Sequence, residues 1–168
     1  MKLFKIMVVL AFMPMQLTAN DKVAFPDNYQ QGFTEYLSLD RTQNPDQFIR
    51  LFANDVAMKG TNSSGGLDQG SVLVAEIYSV KKDQQGKVVT SALGRRVKDK
   101  LLLVAVMEKQ PGFGDGQAPN FNLHTGDWDF ATYKPNGELA KKNLDACRAC
   151  HAPLTQSDFL FSIEHLGN

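Results

Sequence analysis

The clearest pattern along the chain is a series of apolar runs separated by turn residues. Ser71–Val80 (SVLVAEIYSV), Lys100–Met107 (KLLLVAVM) and Trp128–Tyr133 (WDFATY) are rich in β-branched and aromatic residues and predict strands. The middle run is almost continuously apolar, as in a strand covered on both faces. Lys87–Thr90 predicts a short strand after a turn at Asp83–Gly86, and Lys134–Gly137 reads as another turn. Upstream the spacing changes. Phe33, Tyr36 and Leu37 predict helical character across Gln31–Leu39. Phe48, Leu51, Phe52 and Val56 fall at helical spacing behind Asn44-Pro45, a helix-start pair, and predict an amphipathic helix over 45–58. Residues 20–30 read as an extended arm and Gly60–Gly66 as a loop. Residues 110–126 hold four glycines and two prolines and read as a long loop of the kind that often binds ligands. Helices over 138–150 and 156–165 close the chain, the second opened by Thr155 and Asp158 in the spacing of a capping box with Asp in place of Glu. This order predicts an α+β fold, a predominantly antiparallel β-sheet core with flanking helices.

The first nineteen residues stand apart. Lys2 and Lys5 precede an apolar run, Ile6–Met13, that is too short to cross a bilayer, and Gln16-Leu17-Thr18-Ala19 supplies a small residue before a cut. Residues 1–19 therefore read as a signal peptide, with a buried N-terminal helix as the competing reading, and 20–168 as a single domain. No second long apolar run follows, so the expectation is a periplasmic protein with no stable membrane span. The chain carries 18 Lys and Arg against 18 Asp and Glu; losing Lys2 and Lys5 leaves 16 against 18, a net charge of −2. That balance excludes a nucleic-acid surface. A hydrophobic content of 43% excludes a disordered chain, and two cysteines exclude a disulfide scaffold.

Those two cysteines carry the chemistry. Cys147-Arg148-Ala149-Cys150-His151 has the C-x-x-C-H spacing of a c-type haem attachment site. Two thiols one helical turn apart suit addition to two vinyl groups, and the adjacent histidine then ligates the iron, so His151 is the metal ligand. A redox pair would be expected beside a βαβ pattern, and a structural zinc site needs four ligands. The predicted cofactor is one covalently attached haem c with its iron. Met58, Met107, His124 and His165 are the mature residues able to supply a sixth ligand. Each has an ordinary alternative in the core or on the surface, so an open position on an apolar distal side is the expectation.

The ordered motifs resemble the cytochrome P-460 family, including the beta-type cytochromes c′. The resemblance runs from about Phe25 to Leu166. It rests on Ile49-Arg50 with Phe52-Ala53-Asn54, on Gly70–Glu76, and on the strand ending Met107-Glu108-Lys109. It also rests on Gly126-Asp127-Trp128-Asp129-Phe130, on C-x-x-C-H, and on Asp158-Phe159-Leu160-Phe161. It implies a mono-haem c-type cytochrome, often a homodimer, handling small nitrogen compounds: hydroxylamine oxidation in one branch, binding of nitric oxide or similar diatomics in the other. The lysine that the hydroxylamine enzymes cross-link to haem matches Ala75, and their proton-accepting carboxylate matches Val104. Both departures point toward diatomic binding, since proton removal needs a base within reach. Phe52, Phe113, Phe121, Trp128 and Phe130 are candidates to wall the pocket, with plain core packing as the competing reading for each. Arg50 is a candidate for a haem propionate or the pocket, with a helix-surface arginine as the competing reading, and Glu76 for a structural place. Lys59 and Lys109 remain as lysines able to approach the macrocycle. A hydroxylamine- or nitric oxide-oxidising enzyme and a periplasmic electron carrier, with a redox partner, are the alternative functions.

Overall fold

The computed structural model describes residues 22–114 and 121–167. Five strands form one antiparallel sheet in sequence order: β1 (Thr34–Asp40), β2 (Gln47–Ala53), β3 (Val72–Val80), β4 (Lys98–Lys109) and β5 (Trp128–Tyr133). Two short helices accompany it, α1 (Tyr29–Gly32) and α2 (Asp145–His151). The α+β class with an antiparallel sheet core therefore holds, and the three strongest strand predictions fall on β3, β4 and β5. Residues 1–19, read above as a signal peptide, lie outside the described residues. Among those described, no helix is long and apolar enough to cross a membrane.

The two N-terminal helices predicted over 31–39 and 45–58 are strands for most of their length. β2 lies between β1 and β3 and is apolar toward both sides: Phe48 and Phe52 point one way, Ile49, Leu51 and Ala53 the other. An apolar strand buried on two faces has no clean alternation, and Phe48, Leu51 and Phe52 then mimic helical spacing. Asn44 does not cap a helix. Its Oδ1 accepts the Asp46 N–H at 2.9 Å, closing an Asx turn between β1 and β2. The Arg96 Nη1 donates to the carbonyls of Arg41, Asn44 and Gln47 at 3.0–3.1 Å and fixes that turn to the long β3–β4 excursion. Within the excursion the Lys87–Thr90 strand is reduced to isolated bridges at Val88 and Thr90.

The C-terminal helices also differ. Asn136-Gly137 turns the chain back on β5, so Leu139 pairs with Tyr133 and the Ala140 N–H donates to the Thr132 carbonyl at 2.7 Å. Only Asp145–His151 remains helical. In place of a helix over 156–165 there are two single turns, Thr155–Ser157 and Ile163–His165. Asp158 and Phe159 between them are left-handed, with φ of 51° and 63°. The Asp158 carboxylate does not cap Thr155; it accepts the Leu67 N–H at 2.8 Å.

The sheet separates two cores. One packs Val23, Tyr29, Phe52, Val74, Val104, Val106, Ala131 and Tyr133. The other packs Ala53, Ala57, Leu67, Leu73, Trp128, Leu160 and Leu166. Burial of such side chains contributes roughly 1.5–3 kcal/mol each before the entropy of ordering is charged against it. The register assigns each residue to a side. Leu51, Ala75, Ala105 and Thr132 form one cross-strand row, and Arg50, Glu76, Val104 and Tyr133 form the next, on the opposite face.

Candidate haem site

The site is built from α2 outward. Asn143 Oδ1 accepts the Asp145 N–H at 2.9 Å and opens the helix, with the Asp145 carboxylate in the first turn where the helix dipole favours it. Cys147 and Cys150 are neighbours at i and i+3, and both are free thiols. Cys147 is half-buried and Cys150 exposed. Burial pushes the Cys147 thiol up, so it is held protonated.

Arg148, inside the motif, points into the protein. Its Nη2 donates to Asp129 Oδ1 at 2.8 Å and its Nη1 to Asp145 Oδ1 at 3.2 Å. The Arg148 and Asp129 side chains are 6% and 1% exposed, so this pair fastens α2 to β5 through a buried ionic contact. His151 follows one turn later. Its Nδ1 lies 2.7 Å from the Phe159 carbonyl. A carbonyl can only accept, so Nδ1 carries the proton and Nε2 keeps a lone pair. Burial lowers the affinity of His151 for a second proton, although the Phe159 carbonyl opposes that shift. The ring meets Phe130 edge-on at 5.2 Å and Phe161 at 5.0 Å.

This arrangement fits a haem. Two free thiols stand one turn apart beside a neutral imidazole whose tautomer is fixed and whose remaining nitrogen is a ligand atom. Phe161 is 56% exposed although it packs on that imidazole, an apolar ring left for a flat apolar group to cover. Cys147, Cys150 and His151 are the residues that would hold the group.

The other predicted residues divide between the faces. Ala75 and Phe130 share one face with Trp128, which is fully buried in the core beneath it. Phe52 packs in the opposite core and Phe113 against it, so neither walls the site; the Phe121 side chain lies outside the described residues. Arg50 is corrected in the same way. It sits on the far face, bonded to Glu35 and, at 3.1 Å, to Glu76 Oε2. Val104 is the cross-strand partner of Glu76, not a neighbour of Ala75. The residue beside Ala75 on β4 is Ala105. The error is one residue of register, which in a strand moves a side chain through the sheet. Glu76 has the expected structural place. It is fully buried and accepts from Tyr29, Gln30, Arg50 and Tyr78.

The sixth-ligand candidates have other positions. Met58 and Met107 pack against the Trp128 core. His124 is exposed and accepts the Gly126 N–H on Nδ1 at 3.3 Å; His165 is exposed 3.6 Å from Glu164. Lys59 is exposed, and the Lys109 ammonium is engaged by Asp158 at 2.8 Å. Phe159 and Phe161 were not among the predicted walls; the aromatic spacing after Asp158 was their only signal in the sequence.

A histidine presented by a short helix, with paired thiols, on the edge of an antiparallel sheet defines a haem-binding cytochrome. The Cytochrome P460 family model matches residues 26–162, and the chain belongs to that family, whose cofactor is haem with its iron. A search of curated proteins gives no match.

Proposed function

We propose that this chain is a periplasmic mono-haem c-type cytochrome that binds small neutral ligands such as nitric oxide. Cys147 and Cys150 would hold the haem through thioethers and His151 Nε2 would bind its iron. When bound, the haem would supply an iron able to take a diatomic ligand. The observation that carries the reading is the cross-strand row Leu51, Ala75, Ala105 and Thr132 on the face shared with Phe130.

Three of those four side chains are apolar. The fourth spends its hydroxyl on the Ala140 carbonyl at 2.8 Å. A neutral diatomic loses little hydration on such a surface, whereas an ionised or strongly hydrogen-bonding substrate loses contacts that nothing replaces. Hydroxylamine oxidation also requires proton removal. The carboxylate next to Ala75 in sequence, Glu76, is turned through the sheet and saturated by four donors, so it is not available as a base. A cross-link of the kind made by lysine is closed to Ala75.

Export rests on the pattern of residues 1–19. Pairing of two copies is supported by half-buried Leu37, Leu39, Ile49 and Leu51 along β1 and β2. The test is anaerobic spectroscopy of the purified holoprotein. The expected ferrous protein is high-spin and takes up nitric oxide. A low-spin ferrous protein that refuses it would make the chain an electron carrier, and hydroxylamine turnover well above that of free haem would make it an enzyme.

A further inference from the structure

We infer that Lys109 and Asp158 are positioning residues for the haem-ligating histidine: their ion pair holds the left-handed Asp158-Phe159 step that aims the Phe159 carbonyl at His151 Nδ1. The inference rests on the haem reading above and concerns how strongly His151 donates to iron.

Two consecutive non-glycine residues in the left-handed region are unfavourable. Such a step persists only where its surroundings over-determine it. Here they do. The Lys109 Nζ lies 3.0 and 2.8 Å from the two Asp158 carboxylate oxygens and donates to the Leu67 carbonyl at 2.8 Å. The Leu67 N–H returns a bond to Asp158 Oδ2 at 2.8 Å. Both charged side chains are about nine-tenths buried, at 12% and 11% exposure. The Lys109 ammonium also lies 5.7 Å from the centre of the Trp128 ring.

The neighbours leave no slack. A Cβ on Gly66 would meet the Asp158 carboxylate at 3.1 Å and Lys109 Nζ at 3.2 Å. A Cβ on Gly126 would meet the Phe159 ring at 2.8 Å. The Phe159 N–H donates back to the Leu154 carbonyl at 2.8 Å. With its side chain, its N–H and the preceding carboxylate all fixed, Phe159 has one direction left for its carbonyl, and His151 Nδ1 is there at 2.7 Å. A strong acceptor on Nδ1–H makes the imidazole a better donor through Nε2 and favours ferric over ferrous iron. β4 and the loop at Leu67 thus act on the iron through a carbonyl that belongs to neither.

The test compares wild-type holoprotein with Lys109→Met, Asp158→Asn and Lys109→Arg. Asn tolerates the left-handed region, so Asp158→Asn removes the charge without removing the backbone preference. The ferrous iron–histidine stretching band should move to lower frequency in Lys109→Met and Asp158→Asn, and the reduction potential should rise. Lys109→Arg should restore most of both. In ¹⁵N spectra of the ferrous carbon monoxide form, the His151 Nδ1–H signal should shift and its proton should exchange faster with solvent. Unchanged band, potential and Nδ1–H signal in Asp158→Asn would overturn the inference, and that variant decides it if Lys109→Met does not fold. Wild-type protein without haem would overturn the haem reading instead. The tautomer is then read on the haem-free wild-type and Asp158→Asn proteins, where the same single-tautomer form in both would sink the positioning role separately.

Discussion

Arg148, between the two cysteines, makes a buried ion pair with Asp129 on β5, Nη2 to Oδ1 at 2.8 Å. The residue that attaches the helix to the sheet is therefore one turn from His151, the proposed iron ligand. Removing Arg148 leaves the Asp129 charge buried and unpaired, a loss of about 3–5 kcal/mol, whereas removing Asp129 leaves Arg148 its second partner Asp145. Arg148→Met should therefore lower the urea midpoint sharply and Asp129→Ala less so, and both should reduce the yield of holoprotein. Arg148→Met combined with Asp129→Leu should recover much of the loss, because two apolar groups leave no orphaned charge. A single variant as stable as wild type would show that α2 is held by other contacts.

Covalent attachment is read by mass. Intact wild-type protein should carry one haem, and Cys147→Ala with Cys150→Ala should carry none after denaturation. His151→Ala should still permit thioether formation but change the spin state, since the Nε2 ligand is gone. Protein that is haem-free when purified from the periplasm, or that holds zinc, contradicts the c-type assignment.

What could be read from the sequence depended on how residues are paired through space. β3, β4 and β5 announced themselves through dense β-branched and aromatic runs, and the Cys147–His151 spacing pointed to haem, the cofactor of the family that the chain belongs to. β2 did not, because an inner strand apolar on both faces carries no period to read, and at the edge β1 has its alternation broken by the register shift between Glu35 and Leu37. The same blindness to faces put Val104 in one pocket with Ala75, although it pairs with Glu76 on the other side. Arg148 stands in the sequence only as a spacer within C-x-x-C-H, and Lys109 as a lysine able to approach the macrocycle. Their partners Asp129 and Asp158 lie 19 and 49 residues away, a separation that no local pattern encodes.

Ala75 should leave the macrocycle unmodified. A pyridine haemochrome of the holoprotein should be that of ordinary haem c, and its tryptic haem peptide should contain only the Cys147–His151 segment. Lys109 is no threat to this, since its ammonium is held by Asp158 and the Leu67 carbonyl. Ala75→Lys should place an amine on the same face as Phe130, but proximity without orientation need not form a bond. A second peptide joined to the haem of the wild-type protein would defeat the prediction.

Alkaline stability is set on the sheet face opposite Ala75 and Phe130. The Tyr29 hydroxyl donates to Glu76 Oε1 at 2.8 Å, and the Tyr78 hydroxyl to Oε2 at 2.7 Å. Burial, and then the Glu76 carboxylate, push both phenols above their ordinary value. A group that holds its proton more tightly when folded contributes fully below its unfolded pKa, about 10 for tyrosine. That contribution drains away as pH rises from there toward the folded value. Stability should therefore fall above pH 10, and Tyr29→Phe should fall less steeply over that range. At pH 7 the same variant should be weaker by about 1–3 kcal/mol, because a buried carboxylate has lost a donor. Urea midpoints from pH 7 to 11 at fixed ionic strength measure both effects, and comparison with wild type removes the shared lysine titrations. Parallel curves for the two proteins would mean that the Tyr29 phenol does not contribute to the alkaline limit, leaving Tyr78 as the titrating donor to Glu76.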